Sequence, residues 1–83
     1  MAIDDDFADA TVRVKKLTPG NDELLELYGL FKQASEGDVK GSRPGMLDFK
    51  GRAKFDAWSA RKGKSKDDAK QAYVATVARL EQK

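Results

Sequence analysis

Spacing constrains this chain more than any single residue does. Ile3, Phe7, Ala10, Val14 and Leu17 recur at intervals of three and four, which gathers them on one face of a helix. Thr18-Pro19-Gly20 breaks the pattern, because proline disfavours helical geometry in the residue before it. Asn21 or Asp22 then suits the cap of a second helix over about 22–36, with Gly37-Asp38 as its stop. Residues 37–48 hold Gly37, Gly41, Pro44 and Gly45 and read as a loop. Within it, Pro-Gly at the centre of "RPGM" has the preference of a type II turn. A third helix is expected from about Asp48 to Arg61, with Phe55 and Trp58 as its large apolar contacts and Gly63 as its stop. Ser65, three residues before Asp68, resembles a capping box with Asp in place of the usual Glu or Gln. A fourth helix follows, with Ala69, Ala72, Tyr73, Thr76, Val77 and Leu80 along one face. Strand signals are absent. The pattern predicts an all-α domain of four helices, occupying residues 1–83 as a single unit.

Composition narrows what such a domain does. A chain of 83 residues buries only ~60% of the surface exposed by its unfolded form, so the core has to be economical. Neither cysteine nor histidine is present, which removes disulfides, thiolate metal sites, the usual general base and the commonest metal ligand. With 36% charged and 40% hydrophobic residues, the chain reads as soluble and globular rather than disordered. The net charge of +2 is too small to imply nucleic-acid binding. Charge is unevenly spread, however. Asp4, Asp5, Asp6 and Asp9 make the start acidic, whereas Lys50, Arg52, Lys54, Arg61, Lys62, Lys64 and Lys66 surround the lone acid Asp56. Adjacent carboxylates on a helix point in different directions, so the acid cluster reads as a helix start favoured by the dipole rather than a metal site. No stretch approaches the ~20 apolar residues of a membrane span. "MAIDDDF" has the wrong sign for a targeting peptide, and the default expectation is a cytoplasmic protein.

The second helix has a surplus. At ~100° per residue, Leu30, Ala34, Leu27, Phe31, Leu24 and Tyr28 form a continuous fan that Lys32 and Leu25 extend to roughly 220°. A surface helix needs an apolar stripe only a little over ~100° wide. Either this helix is central and packed on two sides, or part of its arc faces a ligand. Tyr28 and Lys32 share a side four residues apart, and Phe31 lies one turn from Tyr28. A phenol, an ammonium and a ring suit a phosphorylated ligand that carries an aromatic base. Lys50 and Lys54, four apart on the third helix, would add positive charge. Gly29 sits awkwardly in the same stretch, since glycine in a helix costs ~1 kcal/mol relative to alanine; close approach of a ligand is one reason for it to be there.

The stretch "YGLFKQASEGD", followed by "RPGMLDFKGRAKFDAW" and then "GKSKDDAKQAYV", closely resembles the acyl-CoA-binding protein family over essentially the whole chain. The resemblance implies a four-helix bundle of that type, acting as a non-catalytic intracellular carrier and buffer of medium- to long-chain fatty acyl-CoA thioesters. It implies that Tyr28, Lys32 and Lys54 bind the ribose 3′-phosphate of coenzyme A, and that Phe31 takes the place of a family tyrosine that stacks on adenine. Tyr73 matches a further ligand contact, and Lys15 a basic position near the end of the first helix. Lys50 is an additional candidate, while Leu25 and Ala53 match positions lining the acyl-chain groove. The loop before Pro19 is shorter than in many members, and Phe31 lacks the family hydroxyl. A hydrogen bond to a charged group is worth ~1.5–3 kcal/mol, so the missing hydroxyl matters if it touches phosphate. Each position also has a plainer explanation. Tyr73 and Trp58 suit a core, Trp58 more so, and Lys15 and Lys50 suit solvent.

The resemblance also implies a monomer that meets enzymes making or using the thioester only transiently, with no nucleic acid, no stable membrane insertion, no cofactor and no metal. The competing reading is a helical protein-interaction module that uses the same broad face on an amphipathic partner helix. An enzyme is disfavoured, since no nucleophile-elbow or phosphate-loop pattern accompanies the missing His and Cys.

Overall fold

In the computed structural model, which describes residues 3–82, the periodic segments form four helices. Helix α1 spans Ile3–Arg13 and tightens into a 3-10 turn over Val14–Lys16; α2 is Asn21–Glu36, α3 Phe49–Ser59 and α4 Lys66–Glu81. No strand occurs among the described residues, and the all-α, four-helix expectation stands. The ends differ in instructive ways. Regular α1 stops four residues before Leu17, whose N–H closes the 3-10 turn on the Val14 carbonyl at 3.0 Å. The cap of α2 is Gly20 rather than Asn21 or Asp22, and its N–H donates to Glu23 Oε1 at 2.8 Å. Glycine has no side-chain acceptor, so only the reciprocal half of a capping box exists here. Ser65 caps α4 as expected, its Oγ accepting the Asp68 N–H at 3.0 Å.

Two corrections concern the loop and α3. Gly45 lacks the positive φ that a type II turn needs at its third position. The turn instead runs two residues later, from the Gly45 carbonyl to the Asp48 N–H at 3.0 Å. Asp48 is then the cap of α3, accepting the Gly51 N–H at 3.0 Å. The helix gives way at Ala60 to successive turns, and Gly63, with φ 91°, belongs to those turns rather than to the helix end.

Side-chain pairs reveal the sense of each helix. Asp4 meets Lys70 at 2.5 Å and Arg13 meets Glu81 at 3.0 Å, so α1 and α4 run the same way. Glu26 meets Arg79 at 3.2 Å, and Phe31 lies beside Tyr73, so α2 runs against α4. Tyr28 faces Lys54 and Lys32 faces Trp58, so α3 follows the direction of α2. Two helices of the same sense cannot be joined by a tight turn, which explains why residues 37–48 form a long crossover. Arg43 ties that crossover to α3 through a two-pronged bond to Asp56, at 2.7 and 3.0 Å. Such exposed ion pairs are each worth only ~0–1 kcal/mol; the apolar core carries the stability.

Helices α2 and α4 are the central pair, with α1 packed on α4 and α3 on α2. Ala10, Leu27, Leu30, Tyr73, Val77 and Leu80 form the buried cluster, flanked by Phe7, Val14 and Leu17. The wide apolar arc of α2 therefore has its first explanation: this helix packs on two neighbours.

Candidate functional site

The α2–α3 contact is set by Gly29. A Cβ at this position would lie 2.4 Å from the Ala57 carbonyl oxygen and 2.8 Å from its carbon, atoms of the α3 backbone. Real side chains do not tolerate that approach, so a residue without Cβ is required. The glycine serves close passage of α3, and the expectation of a ligand at this point is replaced by that contact.

This passage places α3 side chains against those of α2. Lys54 Nζ stands over the Tyr28 ring, 5.6 Å from its centroid, within reach of a cation–π attraction. One turn on, Lys32 Nζ stands 4.8 Å from the Trp58 ring centroid. Trp58 is buried and donates from Nε1 to the Gly37 carbonyl at 2.8 Å. It is thus a core residue, as its size suggests, with its π face under Lys32. Lys32 also pairs with Glu36. That hydrogen bond holds the ammonium pKa above its ordinary value, chiefly through the direct bond and against some desolvation. Sequence reasoning missed Glu36, whose four-residue spacing to Lys32 is the signal that could have found it. Lys54, by contrast, makes no ion pair among the described residues, so its charge is available to an anion.

On the α4 side of α2, the Phe31 ring stacks on Phe7 at 5.8 Å and lies 6.3 Å from Tyr73. Phe7 meets Tyr73 edge-on at 5.1 Å. Phe31 remains 41% exposed, so the trio backs the ring and leaves part of it open. Phe7, from the apolar face of α1, is the residue that sequence reasoning missed here. Its place in the regular stripe gave no hint of a role beneath another ring. Tyr73 is only 5% exposed and belongs to the core cluster; burial pushes its phenol pKa up. Little more than an edge of it is open to solvent.

The remaining candidates are placed less tightly. Leu25 and Ala53 are half-buried on α2 and α3, the two helices that Gly29 brings together. Lys50 is exposed in the first turn of α3, one turn before Lys54. Lys15 is exposed in the 3-10 turn after α1, and no contact joins it to the Tyr28–Lys54 pair. The structure therefore unites Tyr28 with Lys54, and Phe31 with Tyr73, on adjoining sides of one helix. Among the described residues no group of carboxylates is arranged to hold a metal.

The end of the same motif is structural. Gln33 is fully buried, and its Nε2 donates to Asp38 Oδ1 at 2.8 Å and to the Lys64 carbonyl at 2.7 Å. Asp38 Oδ1 also accepts the Gly63 N–H at 2.8 Å. These bonds latch the end of α2 to the turn before α4, while Trp58 on Gly37 ties it to α3. They also hold the Asp38 carboxyl below the usual range, the Gly63 bond contributing most. Gly37 has φ 83°, a conformation that favours glycine.

This arrangement of four helices has close counterparts. Residues 4–77 match the family model described as "Acyl CoA binding protein". The chain is 54% identical over 80 residues to acyl-CoA-binding protein homolog 1 of Caenorhabditis elegans, covering 96% of this chain and 93% of that one. It is 51% identical over 82 residues to an acyl-CoA-binding protein of Brassica napus, covering 96% and 89%. Its fold is similar to the crystal structure of Oryza sativa acyl-CoA-binding protein 2, with a TM-score of 0.94, 40% identity and coverage of 98% and 92%. The crystal structure of the Moniliophthora perniciosa protein gives 0.91, 41% identity and coverage of 99% and 82%. The chain belongs to the acyl-CoA-binding protein family.

Proposed function

We propose that this protein binds medium- to long-chain fatty acyl-CoA and carries and buffers the thioester without chemistry, as a monomer in the cytoplasm. The observation that best supports this reading is Lys54 standing over Tyr28 across the α2–α3 contact. Together with Lys32, the pair offers two ammonium groups and a phenol to one phosphate, the 3′-phosphate of coenzyme A. Charge-assisted hydrogen bonds of this kind are the strong ones. Lys32 would turn toward the phosphate from Glu36, exchanging one anion for another. Adenine would lie on the open part of Phe31, with Tyr73 at its edge and Lys15 and Lys50 adding charge at the rim. The acyl chain would run over Leu25 and Ala53, where each buried CH₂ contributes ~0.8 kcal/mol, up to about fourfold in affinity.

Calorimetry with palmitoyl-CoA, free CoA and palmitate tests the reading. Palmitoyl-CoA is expected to bind more tightly than CoA, and palmitate to bind poorly. Equal affinity for ester and free acid would contradict it, because the nucleotide half would then contribute nothing.

A further inference from the structure

Three of the large apolar side chains are exposed far beyond the rest, and they are almost consecutive. Met46 is 77% exposed, Leu47 92% and Phe49 76%. Met46 and Leu47 occupy the turn closed between Gly45 and Asp48, and Phe49 opens α3. A surface turn is the usual place for polar residues. None of the three belongs to the buried cluster, and the start of α3 is secured by Asp48 instead. The fold therefore makes no evident use of them. Side chains this open stand clear of the surface rather than line a groove.

Their surroundings are cationic. At ~100° per residue, Phe49 lies between Arg52, about 60° to one side, and Lys50, about 100° to the other. Neither Lys50 nor Arg52 is ion-paired at contact distance among the described residues, although Asp56, four residues along α3, feels the charge of Arg52. The local acid, Asp48, is turned to the Gly51 N–H. Farther back, Arg43 already has Asp56.

We propose that this tip is a reversible docking surface for an anionic membrane. Met46, Leu47 and Phe49 enter the boundary between headgroups and acyl chains, while Lys50 and Arg52 contact lipid phosphates. An apolar point ringed by Lys and Arg is the pattern of interfacial binding, and each basic residue near an anionic leaflet adds attraction. A protein partner fits less well. Stable interfaces bury ~800 Å² on each side, and a protruding tip would need a matching pocket, whereas a fluid bilayer needs none. Docking is superficial, in keeping with the absence among the described residues of any helix long and apolar enough to span a bilayer. The proposal requires no bound acyl-CoA, although it shares Lys50 with the rim of the proposed ligand site.

Flotation of the ligand-free protein with phosphatidylcholine vesicles, with and without phosphatidylserine, tests it. Binding to the phosphatidylserine vesicles is expected to be about tenfold stronger and to weaken as salt rises. Leu47→Glu and Phe49→Ser should each reduce it by about tenfold, and Arg52→Glu by severalfold. Leu47→Trp should gain a blue-shifted emission, relative to the Trp58 background, that brominated lipid quenches. Far-UV circular dichroism and urea unfolding of Leu47→Glu should match those of the parent protein, which shows that the variant is folded. Absence of vesicle binding would overturn the proposal, whether or not a protein partner is captured by the same tip. Binding that persists undiminished in Leu47→Glu and Phe49→Ser would overturn it as well, because charge alone would then be responsible. So would vesicle binding that leaves a tryptophan at position 47 unquenched.

Discussion

Two sets of side chains alternate along α2, and they behave differently. Tyr28, Phe31 and Lys32 are half-buried or exposed, with neighbours that leave part of each group open. Gly29 and Gln33, each one position further along from a member of the first set, are buried against the α3 backbone and the turn before α4. Both sets fall within one short motif, yet the first keeps surface open to solvent and the second is committed to architecture. A helix turning ~100° per residue divides adjacent letters between solvent and neighbour. Adjacency in the motif is therefore no guide to shared purpose. The two sets remain coupled all the same, because Gly29 sets the spacing at which Lys54 meets Tyr28.

The contrast breaks most visibly if the buried set can be changed without loss of stability. Gln33→Ala removes two hydrogen bonds and leaves a void, and should cost about 3 kcal/mol in urea unfolding. The protein that remains folded should still bind palmitoyl-CoA. Gly29→Ala is the sharper case, since alanine is the better helix former by ~1 kcal/mol. Overpacking against Ala57 should outweigh that gain and leave the variant about 2 kcal/mol less stable; a stabilised variant would show that α3 moves away freely. On the open set, Phe31→Tyr should leave stability within about 0.5 kcal/mol, the usual range for exposed sites. Its affinity for palmitoyl-CoA should rise by about tenfold to a hundredfold through a new bond to phosphate of ~1.5–3 kcal/mol. Unchanged affinity would place the phosphate out of reach of residue 31.

The smallest expected effect concerns acid. The Asp38 carboxyl is depressed by its bonds to Gly63 and Gln33, so its contribution is full above the unfolded-state value of about 4 and is lost as pH falls through the lower folded value. Asp38→Asn keeps an acceptor but cannot titrate, so its stability should change less with pH than that of the parent protein below about pH 4. Equal acid sensitivity would mean that the latch does not depend on this charge.

The helices themselves were legible because three-and-four spacing reports directly on burial. Leu27, Leu30, Val77 and Leu80 all lie where their periodicity puts them. Helix ends were less so, because Gly20 and Asp48 act as caps through geometry that more than one nearby residue could have supplied. The family motif made Tyr28, Lys32 and Lys54 candidates, and the fold brings Tyr28 and Lys54 together. What the motif could not convey is partnership. Glu36 on Lys32, Phe7 under Phe31 and Asp38 between Gln33 and Gly63 are facts about facing surfaces. Two of these involve residues far apart in the chain, so linear spacing carries no signal for them. The purpose of Gly29 was hidden for the same reason, since its neighbour lies on another helix.

The central claim is that Tyr28 and Lys32 of the open set, with Lys54, read the 3′-phosphate. It is tested most directly by titrating the parent protein and Lys54→Ala, by calorimetry, with palmitoyl-CoA and with its 3′-dephospho analogue. Removing one charge-assisted bond of ~2 kcal/mol should weaken palmitoyl-CoA binding about thirtyfold while scarcely altering binding of the analogue. An equal loss for both ligands would contradict the account.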